Sequence, residues 1–134
     1  MKGLLVMVSL LAIWPWSASK EYPMRASSSV PAAAGIVKVQ RDKDSGNTKL
    51  DIRVWHLANP SRLTPSATNY IVWVRPRDGA AVKQGAIRVD ENQKGEVKLV
   101  TMAKDFEVII TAEQSENADV PSDFQVLRAD VTIR

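Results

Sequence analysis

Leu50-Asp51-Ile52-Arg53-Val54-Trp55 alternates apolar and polar side chains up to its last residue. A period of two places the apolar side chains on one face of an extended chain and the polar ones on the other. This stretch therefore predicts a half-buried β-strand. Comparable stretches recur along the chain and none shows a helical period over three turns, so the sequence predicts seven strands, at 36–39, 50–55, 69–75, 84–89, 96–101, 106–111 and 125–133.

Turn-forming residues separate these strands, as in Asp44-Ser45-Gly46-Asn47 and Arg77-Asp78-Gly79. Two longer connections, Ala58–Thr68 and Gln114–Asp123, contain proline and are natural places for the chain to cross between sheets. We expect an all-β, seven-stranded antiparallel sandwich of the immunoglobulin-like type over residues 35–134. The strand at 69–75 is apolar on both faces, so we expect it to be central, with Trp73 between the two sheets.

The first 19 residues have the order of a signal peptide. Lys2 precedes an apolar run, and Ser17 and Ser19 suit the small-residue positions before a cut, which makes Lys20 the expected mature N-terminus. The run is shorter than a membrane span and contains Pro15. The alternative is an uncleaved N-terminal anchor, with Trp14 and Trp16 at the membrane interface. Residues 20–34, rich in serine, alanine and proline, are expected to be a flexible tether.

Composition excludes several classes of site. The chain has no cysteine, which rules out disulfides and thiolate ligands, and its single histidine is the only nitrogen ligand for a metal. The formal net charge is +3, with acids and bases interspersed, which is not the pattern of a nucleic-acid-binding protein. We therefore expect no metal, no cofactor and no nucleic-acid partner. Asp42 and Asp44 suggest a calcium loop, but glycine and glutamate do not stand at the required positions, and a hairpin turn accounts for them better.

No catalytic residue is assigned. His56 shares the parity of the apolar residues in its strand, which favours a histidine at the rim of the core over a catalytic base. No Gly-x-Ser-x-Gly motif is present to supply a serine nucleophile. The acidic residues show no spacing that singles out a pair for glycoside hydrolysis. The sequence therefore favours a protein that is not an enzyme.

Five residues are candidates for binding. Trp55 lies on the polar face of its strand and Leu57 follows it, so the two form an apolar surface spot unless the tether or the connection 58–68 covers them. Arg75 and Arg77, with Arg62, are candidates for a small anion-binding spot, although a solvated turn explains them better.

From Asn69 to Leu127 the chain resembles the extracytoplasmic domain of anti-sigma-K factors. The matching stretches are Tyr70–Val74, Gly85–Val89, Gly95, Phe106–Glu113 and Pro121. The resemblance implies an exported β-sandwich module that senses, binds or assembles. Residues 114–123 depart from the glycine-rich segment usual in that family, and no sigma-binding domain precedes the leader, so sigma-factor binding is not implied.

These features favour an exported, non-catalytic binding or adaptor module, periplasmic or extracellular, whose partner is a protein or another component of the bacterial envelope. The alternative is a structural or assembly subunit that extends a partner's sheet through an edge strand. A hydrolase comes third. The sequence indicates no membrane span after cleavage and leaves the oligomeric state open.

Overall fold

The computed structural model describes residues 19–133, and the predicted leader lies outside them except for Ser19. The described part of the chain is all-β and antiparallel, as expected, with no α-helix and one short 3-10 turn at Pro60–Arg62. Its strands are β1 (Lys20–Ala26), β2 (Ala34–Arg41), β3 (Thr48–Trp55), β4 (Asn69–Pro76), β5 (Val82–Ile87), β6 (Gly95–Thr101), β7 (Asp105–Glu113) and β8 (Gln125–Thr132).

The seven expected strands are present as β2 to β8, and the eighth, β1, lies in the segment predicted to be a flexible tether. That prediction is wrong for residues 20–26. Most of the side chains in β1 are exposed or only half-buried, and only Met24 is buried. The strand is held mainly by backbone pairing with β2, from Lys20↔Val39 to Met24↔Gly35. A strand that is held by backbone hydrogen bonds needs few buried side chains, so its sequence shows no alternation of apolar and polar residues.

The strands form one continuous sheet in the order β5-β4-β7-β8-β1-β2-β3-β6. Strand β1 joins the two halves of this sheet. Lys20–Met24 pair with β2, whereas Arg25 and Ala26 pair with Arg128 and Leu127 of β8. The backbone N–H of Ser27 extends the second pairing with a hydrogen bond to the carbonyl of Val126 (3.0 Å). The picture of two sheets joined only by crossing connections is therefore corrected to one sheet that curls into a shape close to a barrel.

The two ends of this sheet are β5 and β6, which are not paired as neighbouring strands. An isolated bridge between Val89 and Gly95 joins them at one end. The C-terminal strand β8 lies inside the sheet, between β7 and β1. Its charged residues Arg128 and Asp130 therefore do not lie at an edge of the sheet.

One hydrophobic core fills the interior of the curled sheet. Strands β2 and β3 contribute alternate residues that include Leu50, Ile52 and Val54, each at most 1% exposed. The opposite half contributes residues of β4, β7 and β8 to the same cluster. On β4 the inward residues are Tyr70, Val72 and Val74, which decides between the two parities that the sequence left open. The Tyr70 hydroxyl donates to the carbonyl of Ala58 (2.5 Å), and burial raises the pKa of Tyr70 to about 12.

Trp73 belongs to a second, smaller cluster on the other face of β4, with Ile71 and Ile109. It is fully buried, and its indole Nε1 donates to Thr111 Oγ1 (2.8 Å). The Thr111 hydroxyl donates in turn to Glu113 Oε2 (2.5 Å), which also accepts from the backbone N–H of Ser122 (2.8 Å). This chain of hydrogen bonds attaches the connection between β7 and β8 to the outside of the sheet. Strand β4 is therefore covered on both faces, as expected, but Trp73 lies outside the main core.

Gly95 permits the bridge that joins β5 and β6. A Cβ at this position would lie 2.5 Å from the carbonyl oxygen of Arg88 and 3.3 Å from its carbonyl carbon. Backbone atoms cannot move aside as the end of a long side chain can. Any residue with a side chain therefore has to separate β6 from the segment after β5.

Replacing Trp73 by alanine is expected to lower the free energy of unfolding by about 3–5 kcal/mol, because it empties a closed cluster and removes a buried hydrogen-bond donor. Trp73→Phe keeps the aromatic packing and should cost only about 1–2 kcal/mol. Denaturant unfolding of the two variants measures both values. Equal losses would mean that the hydrogen bond to Thr111, and not the packing, stabilises this face.

Gly95→Ala is expected to destabilise the fold by about 1–3 kcal/mol, the usual cost of forcing an extra methyl group into a packed site. Gly79→Ala is the matched control, since a Cβ there meets nothing closer than 3.7 Å. Thermal melting compares the two substitutions directly. A stable Gly95→Ala protein would show that the bridge between Val89 and Gly95 does not help to hold the sheet closed.

Candidate functional site

A depression of about 980 Å³ lies where β3 ends beside the connection from β5 to β6. It is open to solvent and has one aromatic residue, Trp55. Its remaining lining is mostly polar or charged: Arg53, Val54, His56, Arg88, Asp90, Asn92, Lys94, Gly95 and Glu96. A candidate site predicted from Trp55 therefore coincides with a real concavity.

Strand parity places Trp55 on the outer face of β3 with Asp51 and Arg53, as expected, while Ile52 and Val54 are buried. Trp55 is half-buried, so its ring is neither fully covered nor fully free. The strand ends there because His56 adopts a positive φ of 55°. This conformation interrupts the alternation of an extended chain.

The interruption at His56 corrects two expectations. His56 is exposed and does not lie at the rim of the core, and Leu57 is 0% exposed within the main core. The expected exposure of Leu57 is therefore wrong, and it cannot contact a partner directly. Its backbone N–H donates to the carbonyl of Gln93 (3.1 Å), which fixes the end of β3 to the opposite wall of the depression.

That opposite wall is a tight turn at residues 90–94. The backbone N–H of Asp90 donates to the carbonyl of Lys94 (2.8 Å), and Gln93 has a φ of 64°. The Asp90 carboxylate accepts from the backbone N–H groups of Asn92 (2.8 Å) and Lys94 (3.0 Å). An aspartate that caps its own turn in this way holds the loop in one conformation. The side chains of Asn92 and Lys94 thus project from a well-defined support.

Arg53 links two carboxylates at the edge of the site. Its Nε donates to Glu96 Oε2 (2.7 Å), and its guanidinium lies 3.5 Å from Asp51 Oδ2. Burial raises the pKa of Asp51, and the Glu96 carboxyl raises it further. Hydrogen bonding with Asp51 and Arg53 lowers the pKa of Glu96. The contact between the two carboxyls therefore favours the charged form of Glu96 and the neutral form of Asp51.

Arg88 and Lys94 differ from Arg53 because their charged groups have no hydrogen bond or ion pair within residues 19–133. Both side chains are exposed and line the depression. The pairing of β3 with β6 ends at Val54↔Gly95, and Trp55 and Lys94 are the next residues in each chain segment beyond that pair. The site therefore combines an aromatic ring with two cations that nothing in the described chain neutralises.

The three other predicted binding residues do not form one site. Arg62 lies in the turn near the start of β4, whereas Arg75 and Arg77 lie at its end. Six residues of strand separate these ends by about 20 Å. The Arg75 guanidinium donates to the largely buried Glu107, which Arg128 also approaches (3.5 Å). Arg75 thus compensates a carboxylate of its own fold, and the expected basic spot with Arg62 is wrong.

The remaining candidates from the sequence have ordinary structural explanations. His56 makes no hydrogen bond to a serine or a carboxylate in the described part of the chain. Asp42 and Asp44 lie in a hairpin turn between β2 and β3, where Asp42 Oδ1 accepts from the Asp44 N–H (3.0 Å). No group of three potential metal-ligating side chains occurs among residues 19–133.

Comparison with known proteins finds no family model that matches the chain and no curated protein with significant similarity. Within residues 19–133, no helix has the length and apolar character needed to cross a membrane.

Sequence reasoning missed Arg88, Lys94 and Asn92. They lie more than 30 residues after Trp55, and none belongs to a recognisable motif. Only the pairing of β3 with β6, which the sequence does not specify, brings them to the tryptophan. A usable signal was the turn-forming run Asp90-Glu91-Asn92-Gln93-Lys94-Gly95, since a tight turn next to a paired strand presents its side chains at the strand end.

Asp51→Asn is expected to leave the melting temperature at pH 7 unchanged or higher, whereas Glu96→Gln should lower it. A raised pKa means that the folded protein holds the Asp51 proton more tightly than the unfolded chain does, so this contribution to stability is lost as the pH rises through the folded pKa. The lowered pKa of Glu96 has the opposite sign, with stability lost as the pH falls.

Melting curves of both variants at neutral pH and near pH 4 provide the measurement. The advantage of Asp51→Asn over the unsubstituted protein should shrink at the lower pH, where Asp51 itself gains a proton. A clear loss of stability in Asp51→Asn at pH 7 would instead show that the contact of Asp51 with Arg53 outweighs its burial.

Proposed function

We propose that this chain is an exported, non-catalytic binding or adaptor module of the bacterial envelope, and that it contacts its partner through the depression around Trp55. The observation that carries the proposal is the half-buried Trp55 beside the unpaired Arg88 and Lys94 in a concave surface. Aromatic and arginine side chains in such positions supply most of the energy of many binding surfaces. Both walls of the depression are held by backbone hydrogen bonds, so little ordering is required on binding.

Export rests on the leader pattern of residues 1–19. The position of β1 supports cleavage before Lys20, because this strand begins at the residue expected to be the mature N-terminus. A chain that starts there contains all eight strands. The periplasm or the extracellular space is the proposed location, and a protein or another envelope component is the proposed partner.

A sensory role, suggested by the resemblance of residues 69–127 to anti-sigma-K extracytoplasmic domains, remains part of the proposal. This region includes β4 to β7 and the start of β8. The two halves of the curled sheet share one core, which supports a sandwich-like arrangement. The more specific immunoglobulin-like assignment remains a prediction.

The second candidate function is that of an assembly subunit, and one observation favours it. The sheet ends β5 and β6 are not hydrogen-bonded as neighbouring strands, and exposed apolar residues lie on or next to both of them. Val82 and Val100 are 55% exposed and Met102 is 81% exposed. A partner strand can add to such an edge through backbone hydrogen bonds.

Trp55→Ser and Met102→Ser distinguish the two functions. The immobilised protein is used to capture its partner from an envelope extract, with Val120→Ser as the control for loss of an exposed apolar residue elsewhere. We expect Trp55→Ser to weaken capture by at least about tenfold, as loss of an aromatic anchor does. Its melting temperature should change by no more than a few degrees, because the ring is not part of the main core.

Retention by Met102→Ser together with loss by Trp55→Ser supports the binding module. The reverse result supports assembly through the edge of the sheet. Unfolding of Trp55→Ser would show that the ring stabilises the fold, and the depression would then lose its proposed role.

A further inference from the structure

We infer that the ligand of this depression is an acidic carbohydrate, a sugar chain whose carboxylates meet Arg88 and Lys94 while one ring lies on Trp55. This inference rests on the proposed function of the site and adds the chemical class of its ligand.

Charge is the first argument. Three cationic side chains and two carboxylates line the depression, but they are not equivalent. Arg53 is neutralised by Glu96 and approaches Asp51, and Asp90 is engaged by two backbone N–H groups of its own turn. Among the charged side chains that line the depression, only those of Arg88 and Lys94 have no hydrogen bond or ion pair within the described chain. The unmet charge of the site is therefore positive, and its complement is an anion that can reach two groups.

The second argument concerns the kind of anion. Besides Trp55, the wall offers the exposed amide of Asn92 and the exposed imidazole of His56, both of which hydrogen-bond to hydroxyl groups. A pyranose ring presents C–H groups on its face and hydroxyls at its edge, so it matches an aromatic platform surrounded by polar groups. A carboxylate on that ring satisfies the two cations through charge-assisted hydrogen bonds.

The shape and composition of the depression disfavour other ligands. A peptide with apolar anchors needs pockets for them, and apart from Trp55 the only large apolar residue in the lining is Val54, which is buried. A small enclosed molecule needs a cavity, whereas this surface is open along its length. An extended, hydroxylated and charged chain is the ligand that uses the whole lining.

Titration with a trimer of galacturonic acid tests the inference, and its methyl ester is the matched neutral ligand. The titration uses the protein that begins at Lys20, which lacks Trp14 and Trp16. Fluorescence reports the binding there, since Trp73 is fully buried and a change in emission on binding comes from Trp55. We expect the ester to bind at least about tenfold more weakly, the loss expected when a charge-assisted hydrogen bond is removed. Binding of the acid should also weaken as the salt concentration rises.

Arg88→Gln and Lys94→Gln should each reduce affinity for the trimer about tenfold. Lys43→Gln is the control. It removes an exposed lysine from the turn at the other end of β3, about 23 Å from Trp55. Calorimetry repeats the measurement without relying on tryptophan emission. An equal effect of all three substitutions would indicate non-specific attraction and overturn the inference.

Three other results would also overturn it. The first is equal binding of acid and ester, and the second is binding of a hexapeptide of glutamate in preference to both sugars. The third is no binding of any of these ligands. If Trp55→Ser still abolishes capture from the envelope extract, only the ligand class has failed. If Trp55→Ser leaves capture unchanged as well, the proposed function has failed with it.

Discussion

The division of strand β1 between two neighbours is the constraint on which the rest of the structure depends. Its first five residues pair with β2 and its last two with β8, so one short strand joins two halves that otherwise end in open edges. The Tyr22 hydroxyl strengthens this junction by donating to the carbonyl of Thr132 (2.7 Å). Because the halves are joined, their apolar faces turn toward each other and form a single core. The curvature that creates the depression around Trp55 follows from the same closure.

On the opposite side of the sheet, the strands β5 and β6 are joined by much less backbone pairing. One bridge at Gly95 brings these strands together, and the candidate site lies beside it. The ring of Trp55 is on β3, and Arg88 and Lys94 are on the connection from β5 to β6. The bridge sets the distance between the ring and these two cations. The candidate site thus lies where the sheet is closed by the least pairing, and a ligand that spanned both walls would also add to the stability of the sheet.

Seven of the eight strands could be predicted, because each has an apolar face that leaves a period of two in the sequence. Strand β1 could not, since Pro23 and the exposed charged residues around it resemble a linker, and its pairs with β8 join residues that are distant in the sequence, Arg25 with Arg128 and Ala26 with Leu127. The site was predictable only in part. Parity identified Trp55, but the positive φ of His56 reversed the expectation for Leu57. Arg88 and Lys94 reach Trp55 through long-range pairing, and local patterns carry no record of such pairing.

Strand β1 also has a consequence for the order of events during secretion. If the chain is exported, β1 crosses the membrane before the other seven described strands and its partner β8 crosses after them, so the sheet cannot close until β8 has crossed. Contacts this distant in sequence form slowly, because a long loop must be closed before they stabilise anything. Arg25 and Ala26 therefore lack their partners in β8 until that strand has crossed, whereas Lys20–Met24 can pair with β2 as soon as β2 follows them.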